Sequence, residues 1–211
     1  MAQYGKPEYW EDRYSRPDVE WFEWYQNWES LKPTLAQYIT PSHNILNIGA
    51  GNSRMSAEMF DEGFIHITNI DLSQGVITRM SEKYRDKQPT MKYYHMDARA
   101  MAFDDNSFDV VMDKGTLDSV LCGDASLANA NKMLTEVHRV LSPTGVYISV
   151  SYAPPPQRKM VDKDEFSWSV SVSQVERLAV TLKLTSDESP SFHYIYICKK
   201  GAKTQPSAPP A

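Results

Sequence analysis

Residues 45 to 53 read Ile-Leu-Asn-Ile-Gly-Ala-Gly-Asn-Ser, and this stretch decides the fold. Ile45 to Ile48 is a short apolar run of strand type. Gly49-Ala-Gly51 then makes a turn where backbone can approach a ligand with no Cβ in the way. From Asn52 to Phe60 the pattern is helical, so the turn sets backbone N–H groups at a helix N-terminus, where an anion is stabilised. A second apolar run, His66 to Asp71, ends twenty residues after Gly51 in an acid, the residue type that can accept from both hydroxyls of a ribose. Strand, glycine turn, helix, strand and acid together describe a nucleotide site at the edge of an α/β sheet.

A dinucleotide fingerprint requires a third glycine three residues after the second, for close helix packing. Arg54 occupies that place, which weakens a pyrophosphate site and with it a nicotinamide-dependent oxidoreductase. A purely structural turn is the other reading these few residues allow.

A chain of 211 residues suits one domain with one core. Its formal net charge is −5, from 27 acidic and 22 basic residues that are interspersed, so there is no electrostatic footprint for nucleic acid and no polybasic membrane patch. Cys122 and Cys198 stand far apart and form no metal or redox spacing, so no disulfide is expected. The first residues carry no apolar segment of signal type and no run is long enough to span a bilayer, which gives a cytoplasmic expectation.

Four of the five tryptophans, Trp10, Trp21, Trp24 and Trp28, fall within the first 28 residues, among Tyr9, Tyr14, Phe22 and Tyr25. Tyr9 or Trp10 with Arg13 and Tyr14 share one face of a short helix. Two roles fit: rings packed over the sheet edge, or a lid whose rings close over a bound adenosine and attract a sulfonium cation. Leu31, Leu35, Tyr38 and Ile39 then repeat at helical spacing before Pro41.

Beyond Asp71 the chain alternates. A helix over 73 to 84 buries Val76, Ile77 and Met80, and a third strand over Met91 to Met96 ends at Asp97-Ala98. Asp97 could accept the exocyclic amine of an adenine or cap the following turn. A fourth strand, Phe108 to Met112, leads into Asp113-Lys-Gly-Thr-Leu-Asp118. The helix over 127 to 140 carries His138, read as structural, and the turn Ser142 to Gly145 precedes a fifth strand over 146 to 150. Residues 154 to 165 form a loop, strands follow over 168 to 184 and 192 to 198, and a Pro-, Ser- and Ala-rich tail over 201 to 211 is expected to be disordered.

Tyr9-Trp-x-x-Arg-Tyr14, Glu20-Trp-Phe22, Gly49-Ala-Gly-Asn-Ser53, Asp71-Leu-Ser73, Met96-Asp97 and Asp113-Lys-Gly-Thr-Leu-Asp118 together resemble one branch of the seven-β-strand methyltransferases. That branch modifies lysines of translation elongation factor 1-alpha. The match runs from about Tyr9 to Ser151 and is looser from Phe192 to Cys198. The resemblance implies an α/β, Rossmann-like, doubly wound seven-stranded sheet, mostly parallel with an antiparallel last strand, in a three-layer αβα arrangement. It implies S-adenosyl-L-methionine across the carboxyl edge and a protein substrate, a translation elongation factor.

By the same resemblance, Trp10, Tyr14 and Trp21 wall the cofactor, and Gly49 and Gly51 approach its methionine end. Asp71 with Leu72 holds the ribose, Asp97 with Ala98 meets the adenine, and Lys114 lies near the methionyl portion, although sequence alone slightly favours a surface lysine on a loop. The Asn-Pro-Pro-Tyr or Asp-Pro-Pro-Tyr found in amide and base N-methyltransferases is absent at 113 to 116, which argues against those substrates. Residues 1–40 are read as an aromatic helical lid, 41–200 as the methyltransferase domain and 201–211 as the tail.

A lysine with an ordinary pKa of about 10.4 must lose its proton before it can attack. Asp113 is a candidate to steer and deprotonate it, and so is Asp118, which could instead cap or solvate the next helix. The stretch between the fifth strand and Trp168 is short for this fold, which predicts a reduced or lost helix and an opened sheet face. A small-molecule methyltransferase and a non-catalytic cofactor-binding adaptor are the alternatives.

Overall fold

The structure is a computed structural model, and it describes residues 3–16, 18–177 and 191–201. Among the described residues seven strands form one sheet in the order β3-β2-β1-β4-β5-β7-β6. They are β1 (Ile45–Ile48), β2 (Ile67–Asp71), β3 (Lys92–His95), β4 (Phe108–Lys114), β5 (Leu141–Ser151), β6 (Trp168–Glu176) and β7 (Phe192–Lys200). β1 pairs in parallel with β2 on one side and β4 on the other, and β7 runs antiparallel between β5 and β6. All four residues of β1 are buried, as expected where helices cover both faces of a parallel sheet.

The seven-stranded sheet and its antiparallel last strand are as the sequence implied. The chain winds outward from β1 to β3, then returns to place β4 beside β1, so the order reverses between β1 and β4. At such a switch point the connections diverge and leave a crevice beyond the carboxyl ends of the strands.

One face packs α2 (Trp28–Leu35) and α3 (Met55–Asp61) against Ile45, Ile67, Val110 and Ile148. The other packs α6 (Ser126–Val140) against Leu46, Ile70, Val111 and Tyr147. Alternate residues of each strand thus serve opposite layers. α4 (Gln74–Tyr84) lies at the β3 edge under α1 (Pro7–Ser15), with Tyr14 seated on Val76, Ile77 and Met80. Between the layers Ser56 donates to Asn69 at 2.6 Å and receives from Asn47 at 3.0 Å, which ties α3 to β1 and β2 beneath the glycine turn.

Three expectations need correction. The sheet face over 152 to 167 is not opened: three short 3-10 turns replace the helix, Val161, Phe166 and Trp168 complete the core, and the Trp168 indole donates to Val161 O at 2.7 Å. Large side chains fill a layer that a longer helix would otherwise cover. The helix expected from Leu31 starts three residues earlier, at Trp28, because the Asn27 side chain accepts from Ser30 N–H and caps it. β5 already begins at Leu141, with Ser142 to Gly145 bulging from the ladder before Val146 pairs with Val110. The strand expected over 168 to 184 is seen as Trp168–Glu176; residues 178 to 184 of that span, and the tail after Gly201, lie outside the described residues.

Candidate functional site

Both glycines of the turn after β1 stand in the left-handed region, Gly49 at φ 63° and Gly51 at φ 55°. Each is also in close contact: a Cβ on Gly49 would fall 2.0 Å from Thr116 Oγ1, and one on Gly51 2.7 Å from the Tyr14 hydroxyl. Thr116 Oγ1 donates to Ile48 O at 3.0 Å, so the start of α5 (Thr116–Leu121) is docked on the turn.

Asp71, a residue only 7% exposed, closes β2 with its carboxylate. One of its oxygens accepts Gly51 N–H at 2.8 Å and the other Ser73 N–H at 2.9 Å. Burial pushes this carboxyl above its ordinary value, against the pull of those two N–H groups. Each oxygen keeps lone-pair capacity for a further donor.

Asp97 behaves differently. Its oxygens accept Arg99 N–H at 2.8 Å and a fork from the Arg99 guanidinium at 2.7 to 3.0 Å. Burial raises its carboxyl, but the Arg99 bonds outweigh it and hold the group below the usual range. Asp97 therefore shapes its own turn as well as facing the cavity.

Lys114, the last residue of β4, is buried in an ion pair with Glu23 and donates to Trp24 O at 2.9 Å. Glu23 also accepts from Ser53 Oγ at 2.7 Å and Arg54 N–H at 3.2 Å, while Asn52 donates to Glu20 O at 2.9 Å. The segment after α1 is thereby strapped across the glycine turn. Burial lowers the Lys114 ammonium and Glu23 opposes it. The rings of Tyr4, Trp10, Tyr14 and Trp24 form a continuous wall, with Trp10 stacked on Tyr4 at 5.7 Å and on Tyr14 at 5.9 Å.

Trp10, Tyr14, Gly49, Gly51, Asp71, Leu72, Asp97, Ala98 and Lys114 line one cavity at the carboxyl ends of β1, β2 and β4. Two expected residues do not join them. Trp21 is 43% exposed, with the Arg54 guanidinium 4.1 Å above its ring, because the strap turns that side chain outward. Asp113 lies beneath the cavity, where it accepts from Thr116 N–H, Tyr147 OH and Ser149 OH at 2.7 to 3.0 Å and from Leu117 N–H at 3.2 Å. Burial, with Asp118 second, pushes its carboxyl up to about 6. It caps α5 from inside and does not line the cavity.

Phe22, Trp24 and Tyr25 also line the cavity, as does Asp118, and the first three were given no individual role from sequence. Their crowding with Trp10 and Trp21 was the available signal; which rings turn inward depends on the Lys114–Glu23 pair, a contact across 91 residues.

Residues 46–149 match a methyltransferase domain model. Mouse EEF1A lysine methyltransferase 4 is 33% identical over 209 residues, an alignment that covers 94% of this chain and 77% of the mouse protein. The chain belongs to the eEF1A lysine methyltransferase family. Human eEF1A lysine and N-terminal methyltransferase is 39% identical over 180 residues, 82% of this chain and 25% of the human protein. Its Xenopus laevis counterpart is 36% identical over 82% of this chain and 26% of its own length, so the chain spans about a quarter of these longer relatives. Among solved structures, an SAM-dependent methyltransferase from Methanosarcina mazei superposes with a TM-score of 0.60 at 18% identity, over 80% of this chain and 97% of that one. Phosphoethanolamine N-methyltransferase 2 of Haemonchus contortus gives 0.63 at 14% identity, over 90% and 60%. At those identities the likeness is one of fold, and the fold is that of methyltransferases.

Proposed function

We propose that the cavity binds S-adenosyl-L-methionine and that the protein transfers its methyl group to lysine of a translation elongation factor 1-alpha. The observation that carries this reading is the 33% identity with EEF1A lysine methyltransferase 4 across most of both chains. The cavity residues fit the cofactor. Asp71 offers two buried carboxylate oxygens with capacity to spare for a ribose diol, and Gly49 and Gly51 leave the turn bare of side chains. The ring wall of Trp10, Tyr14 and Trp24 suits a sulfonium and an adenosine. Asp97 would receive the adenine amine only by giving up part of its fork with Arg99.

The bound cofactor supplies an electrophilic methyl on a good leaving group. The protein then has to place a neutral nitrogen in line with it, and such placement is worth up to roughly 7 to 11 kcal/mol. Calorimetric titration with S-adenosylmethionine and S-adenosylhomocysteine tests the cofactor half. Both should bind, and Asp71→Ala should weaken both. Failure of either ligand to bind the folded wild-type chain removes the proposal.

A further inference from the structure

One cluster on the cavity wall has no part in the cofactor contacts above. Asp118, in α5, accepts from Ser151 Oγ at 2.6 Å and Arg158 at 2.6 Å on one oxygen, and from Tyr25 OH at 2.9 Å and Tyr152 N–H at 2.8 Å on the other. Four donors fill the carboxylate, so it has no lone pair left to draw a proton from an incoming amine. The consequence falls on Tyr25. Its hydroxyl hydrogen is committed to Asp118, which leaves the oxygen's lone pairs for a donor in the cavity. Burial, with the Asp118 charge second, pushes the Tyr25 hydroxyl far above its ordinary value, so it stays a phenol.

The backbone gives a second, independent indication. Tyr25 sits at φ 61°, with Gln26 N–H bonded back to Trp24 O at 2.7 Å, the rarer and strained form of γ-turn. A bulky residue holds such a conformation only where its surroundings fix it. They do so on both sides: Glu23 is pinned by Lys114, and the Gln26 amide by Glu176 O at 2.7 Å and His193 Nδ1 at 3.0 Å. The ring itself lies on Gly115, where a Cβ would come within 3.1 Å of it, and beside His193 at 4.7 Å between centroids.

We propose that Tyr25 orients the acceptor amine, its oxygen accepting an N–H of the incoming lysine while its hydroxyl donates to Asp118. The inference rests on the lysine methyltransferase reading above. The nitrogen's lone pair forms the new N–C bond to the methyl carbon as the C–S bond breaks with its electron pair returning to sulfur. The proton shed by nitrogen passes to water, since the cluster has no free acceptor to take it. A testable asymmetry follows. The amine and its monomethyl product each carry an N–H for Tyr25, whereas a neutral dimethylamine carries none.

The test compares wild type with Tyr25→Phe, which keeps the ring and the turn. Elongation factor 1-alpha is supplied unmodified, or already dimethylated at the acceptor lysine, and each transfer is followed by mass spectrometry in single turnovers. Transfers onto nitrogen bearing an N–H should slow about ten-fold or more, and transfer onto dimethyllysine should stay within about two-fold. S-adenosylhomocysteine affinity should stay within about two-fold, and the thermal midpoint should fall by no more than the loss of the single hydrogen bond to Asp118 entails. Binding of n-butylamine, a stand-in for the lysine side chain, to the S-adenosylhomocysteine complex should weaken about five-fold, the equivalent of one hydrogen bond of about 1 kcal/mol. Equal slowing of every transfer, or no slowing at all, overturns the role of Tyr25 and leaves the function intact. A wild-type chain that methylates no lysine overturns the function, and this inference with it.

Discussion

The Lys114 ammonium at the end of β4 is paired with the Glu23 carboxylate on the strap, and both side chains are less than a tenth exposed. Removing one member of a buried pair strands the other without water, a change that costs about 3 to 5 kcal/mol. Lys114→Met is therefore expected to lower unfolding stability by that order and to loosen residues 20 to 25 from the glycine turn. Replacing both residues, Lys114→Met with Glu23→Leu, should recover a large part of the loss. Urea denaturation of the two variants measures this; a single variant as stable as wild type would show that the pair contributes nothing.

Gly51 carries two constraints at once. Its φ of 55° disfavours any side chain, and Tyr14 Oη stands 2.7 Å from where a Cβ would be. Gly51→Ala should cost about 1 to 3 kcal/mol of stability from the backbone strain alone. It should also weaken S-adenosylmethionine binding, because Tyr14 is displaced into the cavity. Tyr14→Phe combined with Gly51→Ala should restore part of both. Calorimetry beside thermal unfolding separates the two effects.

His193 is 1% exposed, and burial, with Arg177 second, pushes its imidazole down from 6.5 to about 4. Facing it are Tyr25, the Gln26 amide, the Arg177 and Lys114 cations, and Asp118, which opposes the shift. The folded state holds fewer protons here than the unfolded state between those two values, so stability rises with pH across that window. The contribution is complete above pH 6.5 and is lost as pH falls towards 4, roughly 3 kcal/mol in all. Asp113, raised to about 6, has the opposite slope over much of the same range, since its buried carboxyl is easier to hold protonated. His193→Gln should accordingly remove the acid loss and leave a stability that falls with rising pH between about 4 and 6. Urea midpoints across that range read the slope directly, and an unchanged slope in the variant rules the assignment out.

The sheet was legible because its signals are local. Ile45 to Ile48, Ile67 to Asp71 and Phe108 to Met112 are apolar runs closed by glycine or acid, and each is a strand in place. Ser73 announces α4 because its own hydroxyl accepts from Val76 N–H three residues on. What escaped was set by distant partners. That Asp118 rather than Asp113 faces the cavity depends on Tyr147 and Ser149 rising from β5 to claim Asp113, and on Arg158 reaching back over 40 residues to Asp118. Trp21 and Trp24 look alike in sequence, yet the pinning of Glu23 between them turns one out and the other in. Arg99 follows Asp97 by two residues, and the sequence alone did not show that it would fork onto that carboxylate.

The measurement that bears most directly on the proposed reaction is incubation of the purified chain with S-adenosylmethionine and elongation factor 1-alpha, followed by peptide mass mapping. Methyl increments confined to defined lysines, present with wild type and greatly reduced with Asp71→Ala, are the expected result. Elongation factor that remains unmodified by a folded chain shown to bind the cofactor would contradict the assigned substrate.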